Sequence, residues 1–309
     1  MPYLPAALAS IERQTFRDFD VHVWENGSLD GSAEEALRWI PARLPGRVTI
    51  GSPLNLGASF RALVDAACSE YIALMGADDV SLPQRLERQV AFLDATPAAA
   101  AVGSAVEVID AQGAPTALWP SGTREAEIRW FARWGCPLYS PSVLLRREAV
   151  LAVGNFSPLR IGEDYDLYLR MSHERHLANL AEVLVQYRVH GHNLTMQHAG
   201  ELHKLDEDIA TSQADRLFPG LAPAEALQLR RKVMRDSRER VSWSDFALHR
   251  RAARLTARGW GKPDDYITST KLYRQQQWEL LRNYLLQTRL GPWALQAKRS
   301  LVAARRRLA

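Results

Sequence analysis

Four short segments hold residues whose types and spacing could do chemistry. The first is Gly76-Ala77-Asp78-Asp79, directly after the apolar run Glu70 to Met75. Two adjacent carboxylates beyond the carboxyl end of a strand suit a hard divalent cation, Mg²⁺ or Mn²⁺. Such an ion takes one or two protein carboxylates and fills its other positions with phosphate oxygens and water. The bland alternative is a pair of turn acids ahead of a helix opened by Pro83. The second segment, Glu25-Asn26-Gly27-Ser28-Leu29-Asp30-Gly31-Ser32, sets two glycines among short polar side chains. It reads as a loop able to approach a nucleotide closely, or as a strand-to-helix turn capped by Asp30 or Ser32. The third, Gly162-Glu163-Asp164-Tyr165-Asp166, places three carboxylates at a helix start. They either complement the helix dipole or supply a general base and acceptor contacts. The fourth, Tyr187 to Asn193, puts His190 at a strand end, as a metal ligand or a structural histidine. His190, His192, His198 and His203 match no zinc spacing, and no cysteine stands near them.

These segments need elements to hold them. The first 110 residues alternate helix-like and strand-like stretches. Helices are expected at Leu4 to Gln14, Ser32 to Leu44 (stopped by Pro41 and Pro45), Gly57 to Cys68 and Pro83 to Ala95. Strands are expected at Phe19 to Trp24, Arg47 to Ile50, Glu70 to Met75 and Ala99 to Ile109. This order predicts an α/β fold around a mostly parallel sheet flanked by helices. From 111 to 195 the pattern is more mixed, with helices at Thr123 to Trp134 and Glu163 to Glu174 and strands at Ser142 to Leu145 and Val183 to His190. Beyond Asn193 it is helical, with breaks near Pro219-Gly220, Gly259 to Pro263 and Gly291-Pro292. Two regions follow: an α/β body over residues 1–199 and a helical appendage over 200–309.

The 309 residues carry a net charge of +4, which conceals an asymmetry. Residues 1–229 hold 19 basic and 29 acidic residues; residues 230–309 hold 20 basic and 6 acidic ones. Two cysteines, Cys68 and Cys136, make no disulfide framework and point to a reducing cytoplasm. The longest apolar candidate, Ala98 to Val106, falls short of the roughly 18 residues that cross a bilayer. The N-terminus has no secretory signal pattern.

The order of these segments resembles glycosyltransferase family 2, the inverting nucleotide-sugar transferases with a GT-A fold. The resemblance covers about residues 1–200. It rests on Tyr3-Leu4, Ala7 to Ile11 with Gln14-Thr15-Phe16, Glu25-Asn26-Gly27-Ser28 with Asp30-Gly31-Ser32, Asn55-Leu56-Gly57 and Glu70-Tyr71-Ile72-Ala73. It continues through Ala77-Asp78-Asp79, Pro141-Ser142-Val143 before Arg146-Arg147, Gly154, Glu163-Asp164-Tyr165-Asp166-Leu167 and Tyr187-Arg188-Val189-His190. The resemblance implies that Glu25, Asn26, Gly27, Ser28, Asn55 and Gly57 bind the nucleotide, and that Asp78 meets the ribose or the metal. It implies that Asp79, Asp78 and His190 hold Mn²⁺ or Mg²⁺ on the donor diphosphate. Asp164 would be the catalytic base, with Glu163 and Tyr165 at the acceptor. The activity implied is transfer of a sugar, from a UDP-sugar in the first instance, to a glycan or lipid-linked acceptor with inversion.

Three departures stand out. Gly76 replaces the first acid of the common Asp-any-Asp-Asp form. Glu25 is one methylene longer than the usual Asp. Family members also begin with an apolar strand ending in Pro-any-Tyr-Asn, and no such strand precedes Tyr3-Leu4 here. The expectation is a start assigned too far downstream, or a truncated copy. An in-frame strand of that kind is expected in the upstream DNA, and a stop codon immediately before Met1 would contradict a misassigned start. Two other functions stay open: a non-catalytic glycan- or membrane-binding remnant, and a sugar-1-phosphate nucleotidyltransferase. The latter normally needs a Gly-rich basic N-terminal loop, which is not seen.

The basic C-terminal region interleaves Arg230-Arg231-Lys232, Arg250-Arg251, Lys298-Arg299 and Arg305-Arg306-Arg307 with Trp278, Leu281, Tyr284, Leu285, Trp293, Leu295, Leu301 and Val302. It would lie on an anionic membrane surface, at the inner face of the cytoplasmic membrane, or form a solvated bundle on the acidic body. Nucleic acid is not an expected partner, because no recognition motif accompanies the charge.

Overall fold

The computed structural model describes residues 2–198, 200–234 and 240–287. The chain forms two compact units, Met1–Ile209 and Ala210–Ala309. The first unit runs α1 (Leu4–Glu12), β1 (Val21–Glu25), α2 (Ser32–Trp39), β2 (Gly46–Ile50), α3 (Leu56–Ala66), β3 (Tyr71–Ala73), β4 (Val80–Ser81) and α4 (Arg85–Ala95). It continues with β5 (Ala99–Ile109), β6 (Pro115–Trp119), α5 (Glu125–Phe131), β7 (Leu144–Arg146), α6 (Arg147–Ala152), α7 (Glu163–Glu174), β8 (His176–Arg188) and α8 (Leu194–Gln197). Helix α9 (Leu202–Ser212) crosses the division between units.

β1 and β2 make a parallel pair. The other strands form one sheet in the order β3-β7-β5-β8-β4, with β6 also on β5. The fold is the expected α/β class, but this sheet is mixed rather than mostly parallel. β5 and β8 are parallel, whereas β3–β7, β7–β5, β8–β4 and β5–β6 are antiparallel. β3, β5 and β8 therefore share one direction, and the loops after them leave from one edge. β5 is buried along nearly its whole length. Its alanines let α4 and the α5–α7 side pack closely on a strand covered on both faces.

Several elements differ from expectation, the short β4 among them. β8 starts at His176, not Val183, because residues of high helix propensity (Leu177, Ala178, Leu180) are held extended by the ladder to β5. β6 was not expected; Asp110 makes its hairpin by accepting from the N–H groups of Gln112 (2.9 Å) and Ala114 (2.8 Å). α6 was not expected either.

The segment after Asp79 is clamped by α1. Ser10 Oγ accepts from Ser81 N–H at 2.9 Å, Gln14 Nε2 donates to Leu82 O at 2.8 Å, and Gln14 Oε1 accepts from Leu86 N–H at 3.1 Å. From α4, Arg85 donates to Leu74 O at 2.7 Å, and Gln89 donates to Val102 O (2.9 Å) and Ser142 O (2.7 Å). These buried donors tie β3 to its neighbours just where the Asp78-Asp79 loop begins.

The second unit comprises α10 (Ala214–Leu217), α11 (Pro223–Met234), α12 (Trp243–Gly259), α13 (Asp265–Thr268) and α14 (Lys271–Leu286). Ser242 and Asp245 form a capping box at the start of α12. Lys232 pairs with Asp245 at 2.9 Å, both side chains under 10% exposed. Arg230 is buried as well. Two members of the Arg230-Arg231-Lys232 run thus face protein interior, not a membrane, whereas Arg250 and Arg251 are exposed. No helix among the described residues is long and apolar enough to cross a membrane. Gly291-Pro292, Trp293, Leu295, Lys298-Arg299, Leu301-Val302 and Arg305-Arg306-Arg307 lie outside the described residues.

Candidate functional site

Asp78 and His190, 112 residues apart, meet at the shared edge of β3 and β8, with His190 Nε2 2.9 Å from Asp78 Oδ2. Asp78 keeps 29% of its side chain exposed and His190 11%. Asn193 Nδ2 donates to the same Asp78 oxygen at 3.1 Å, and Arg188 Nε donates to Asp78 O at 2.8 Å. The ring of Tyr3 covers this corner, 4.7 Å from the His190 ring and 4.8 Å from the Arg188 guanidinium.

Asp79 behaves differently. It is 2% exposed, and its Oδ1 accepts from the Arg188 N–H at 2.9 Å. Burial, then the charge of Asp78, push its carboxyl up to about 7. Asp79, the carboxylate expected on the cation, here ties β8 to the loop. Gly76 fits the same arrangement. A Cβ there would sit 2.5 Å from Asp79 Oδ2 and 2.7 Å from Asp78 Oδ1, so a side chain at 76 would have to displace the pair. Among the described residues no group of three or more His, Cys, Asp or Glu side chains converges. Asp78 and His190 alone still fit a hard cation that takes its other ligands from a diphosphate.

The loop after β1 has its polar atoms engaged. Glu25 accepts from the N–H groups of Gly27 (3.0 Å) and Ser28 (2.6 Å), and the Ser28 bonds hold its carboxyl below the usual range. Asn26 makes two bonds to the Leu54 backbone, at 2.7 and 2.6 Å. Asn55 caps α3 through Ala58 N–H (2.9 Å) and donates to Pro158 O (2.8 Å). Gly57 N–H donates to Leu159 O at 2.9 Å, and a Cβ on Gly57 would lie 2.0 Å from Ser157 O. In this structure these residues hold one another and the 157–159 loop. Gly57→Ala is therefore expected to cost about 2–4 kcal/mol, since backbone must move on both sides of the contact. A denaturant midpoint equal to wild type would contradict that packing.

The 157–159 loop leads into α7. Asp166 accepts from Ser157 Oγ at 2.6 Å and from Arg170 Nη2 at 2.6 Å, and Arg170 also donates to Asn155 O at 2.9 Å. Asp166 is thus a staple for that loop. Asp164 is half-buried: its Oδ1 accepts from Tyr165 N–H at 2.7 Å, and its Oδ2 lies 3.9 Å from Cys136 Sγ. Glu163 is 4% exposed. Burial, then repulsion from Asp164, push Glu163 up to about 8. Burial also raises the Asp164 carboxyl above its ordinary value. Tyr165 is buried rather than open to an acceptor, at 1% exposure.

Burial lowers the fully buried Arg85 guanidinium to about 10 against the pull of Asp79, and burial, then Asp164, raise the Tyr168 phenol above its ordinary value. Sequence reasoning gave Arg85, Cys136 and Arg170 no role. Asn193 was given no role beyond closing the Tyr187 to Asn193 segment; its place three residues past His190, just beyond a strand end, was the available signal.

Comparison with known proteins agrees with this architecture. The family profile for "Glycosyl transferase family 2" matches residues 1–154. The amylovoran biosynthesis glycosyltransferase AmsE of Erwinia amylovora is 28% identical over 187 residues, 60% of this chain and 70% of that protein. Among solved structures, S. aureus TarS 1-349 in complex with UDP-GlcNAc superposes with a TM-score of 0.59 at 15% identity, covering 92% of this chain and 86% of that one. Against a longer TarS chain the match covers 51% of it, with a TM-score of 0.55. The mannosyltransferase PcManGT from Pyrobaculum calidifontis, in complex with GDP-Man and Mn2+, gives a TM-score of 0.54 at 18% identity, covering 95% of this chain and 84% of that one. At such identities the likeness speaks to the fold. With the family match and the Asp78–His190 and Asp164 clusters in place, the chain belongs to glycosyl transferase family 2 and is a glycosyltransferase.

Proposed function

We propose that the protein transfers a sugar from a nucleotide-sugar donor, a UDP-sugar in the first instance, to a glycan or lipid-linked acceptor with inversion. The observation that carries this reading is the meeting at 2.9 Å of Asp78 and His190, 112 residues apart, at the sheet edge where α/β folds bind nucleotides. Asp78 and His190 would hold Mn²⁺ or Mg²⁺ against the donor diphosphate, and Asp79 and Asn193 would position them. The cation, when bound, offsets charge on the departing diphosphate. Asp164 takes the proton of the acceptor hydroxyl on Oδ2, because Oδ1 is engaged by Tyr165 N–H. The raised carboxyl range at Asp164 favours this, since a base titrating nearer neutrality binds the proton more firmly. The relative's role in amylovoran biosynthesis supports an envelope glycan as the acceptor class. The TarS and PcManGT complexes, with UDP-GlcNAc and with GDP-Man and Mn2+, support a nucleotide-sugar donor and a divalent cation. The basic charge of residues 230–309 supports a peripheral position at the inner membrane face.

A thermal-shift screen of UDP-, GDP- and dTDP-sugars with Mn²⁺ tests the reading. One donor is expected to raise Tm by several degrees, as saturating ligand adds roughly 2–3 kcal/mol. Stabilisation only by a sugar 1-phosphate with a nucleoside triphosphate would favour a nucleotidyltransferase, and none at all a binding remnant.

A further inference from the structure

The hairpin β5–β6 carries an aromatic cluster that the chemistry above leaves unused. β6 is an edge strand whose five residues are all exposed, and it ends on Trp119, 37% exposed. The Trp119 ring centroid is 5.6 Å from that of Tyr139 and 5.4 Å from that of Tyr187, each tilted by 35°. The register explains the meeting. Trp119 pairs with Val106 and Tyr187 with Val108, positions two apart on β5 and so on one face. Val106 and Val108, 0% and 4% exposed, form the floor of that face. Edge strands are usually blunted with charge or proline; this one starts on Pro115 but presents an indole to solvent at its other end.

The place of the cluster matters as much as its chemistry. Tyr139 lies three residues after Cys136, whose Sγ is 3.9 Å from Asp164 Oδ2. Tyr187 immediately precedes Arg188, whose N–H holds Asp79. The aromatic cluster is thus carried on one side by the segment that follows Cys136 and on the other by the strand that leads into Arg188.

We propose that Trp119, with Tyr139 and Tyr187 beside it, is the platform on which a pyranose ring of the acceptor stacks. The inference rests on the transferase reading and deepens it: the acceptor end nearest the reacting hydroxyl is a sugar, not a bare lipid headgroup. A pyranose turns a face of C–H groups to one side, and aromatic rings carry a negative face that receives such groups while covering them from water. The cluster brings no charged side chain of its own to select a phosphate.

The test is saturation-transfer NMR on the full chain with methyl glycosides of glucose, galactose, mannose and N-acetylglucosamine. At least one is expected to give signals with wild type. They should fall about fivefold or more in Trp119→Ala and persist in Trp119→Phe. Thermal stabilisation by UDP with Mn²⁺ should be the same in all three proteins, which also shows that the variants fold. No signal with wild type, or equal signals in wild type and Trp119→Ala, overturns the platform while leaving the transferase reading intact. Absence of any nucleotide-dependent stabilisation in wild type removes the transferase reading and the acceptor assignment with it.

Discussion

Asp164→Asn is expected to lower the transfer rate by about 10²–10⁴-fold and leave donor affinity within about twofold of wild type. The substitution keeps size and the acceptor for Tyr165 N–H but removes the oxygen that takes a proton. Rate and affinity separate because the proposed function puts Asp164 at the acceptor side and Asp78 and His190 at the donor. Loss of donor affinity with an intact rate at saturation would refute the base assignment. The pH dependence follows from the same pair. The proposed transfer needs Asp164 ionised, and burial raises both acids, so the acidic limb of kcat/KM should lie above that of an ordinary aspartate. Stability runs the opposite way. A carboxyl raised in the folded state stabilises fully below its unfolded value of 4.5, and that contribution is lost as pH rises through about 8, the value for Glu163. Removing the Asp164 charge relieves its neighbour. The inactive variant should thus be the more stable protein at pH 9, by about 1 kcal/mol, roughly the worth of one pKa unit.

The second large effect is expected at the donor side. Asp78→Asn should weaken cation-dependent nucleotide binding by about 100-fold, roughly 2.7 kcal/mol. Asp79→Asn should preserve cation dependence, because Asp79 faces Arg188 N–H and stands 2% exposed. Removing its charge also relieves repulsion from Asp78. Calorimetry of UDP with and without Mn²⁺ on the two variants distinguishes them. The reverse outcome, with Asp79→Asn losing the cation and Asp78→Asn keeping it, would return the ligand role to the buried acid.

The motif order made the family legible, since loops at strand ends are written in short local segments. Which of two adjacent acids turns inward was not legible. Asp78 and Asp79 differ by what β8 brings to them, an N–H from Arg188 and a ring from His190, and both lie more than 100 residues away. The loop residues Asn26, Asn55 and Gly57 read as nucleotide contacts because small polar residues serve ligands and backbone alike. Their bonds to Leu54, Pro158 and Leu159 depend on packing that no local pattern encodes. The β6 hairpin had a visible cue in Asp110 and Gly113, but its five solvent-facing residues lack the alternation that marks a strand. Lys232 shows the same limit for charge. A basic run suggests a surface, and only Asp245, thirteen residues on, reveals a buried pair.

A crystal structure of the protein with a UDP-sugar and Mn²⁺ tests the account most directly. The expected result is Mn²⁺ bound by the Asp78 carboxylate, His190 Nε2 and the diphosphate, with Asp164 Oδ2 facing the anomeric carbon on the side away from the leaving group. A cation held through Asp79 instead, or a nucleotide bound away from the β3–β8 edge, would contradict it.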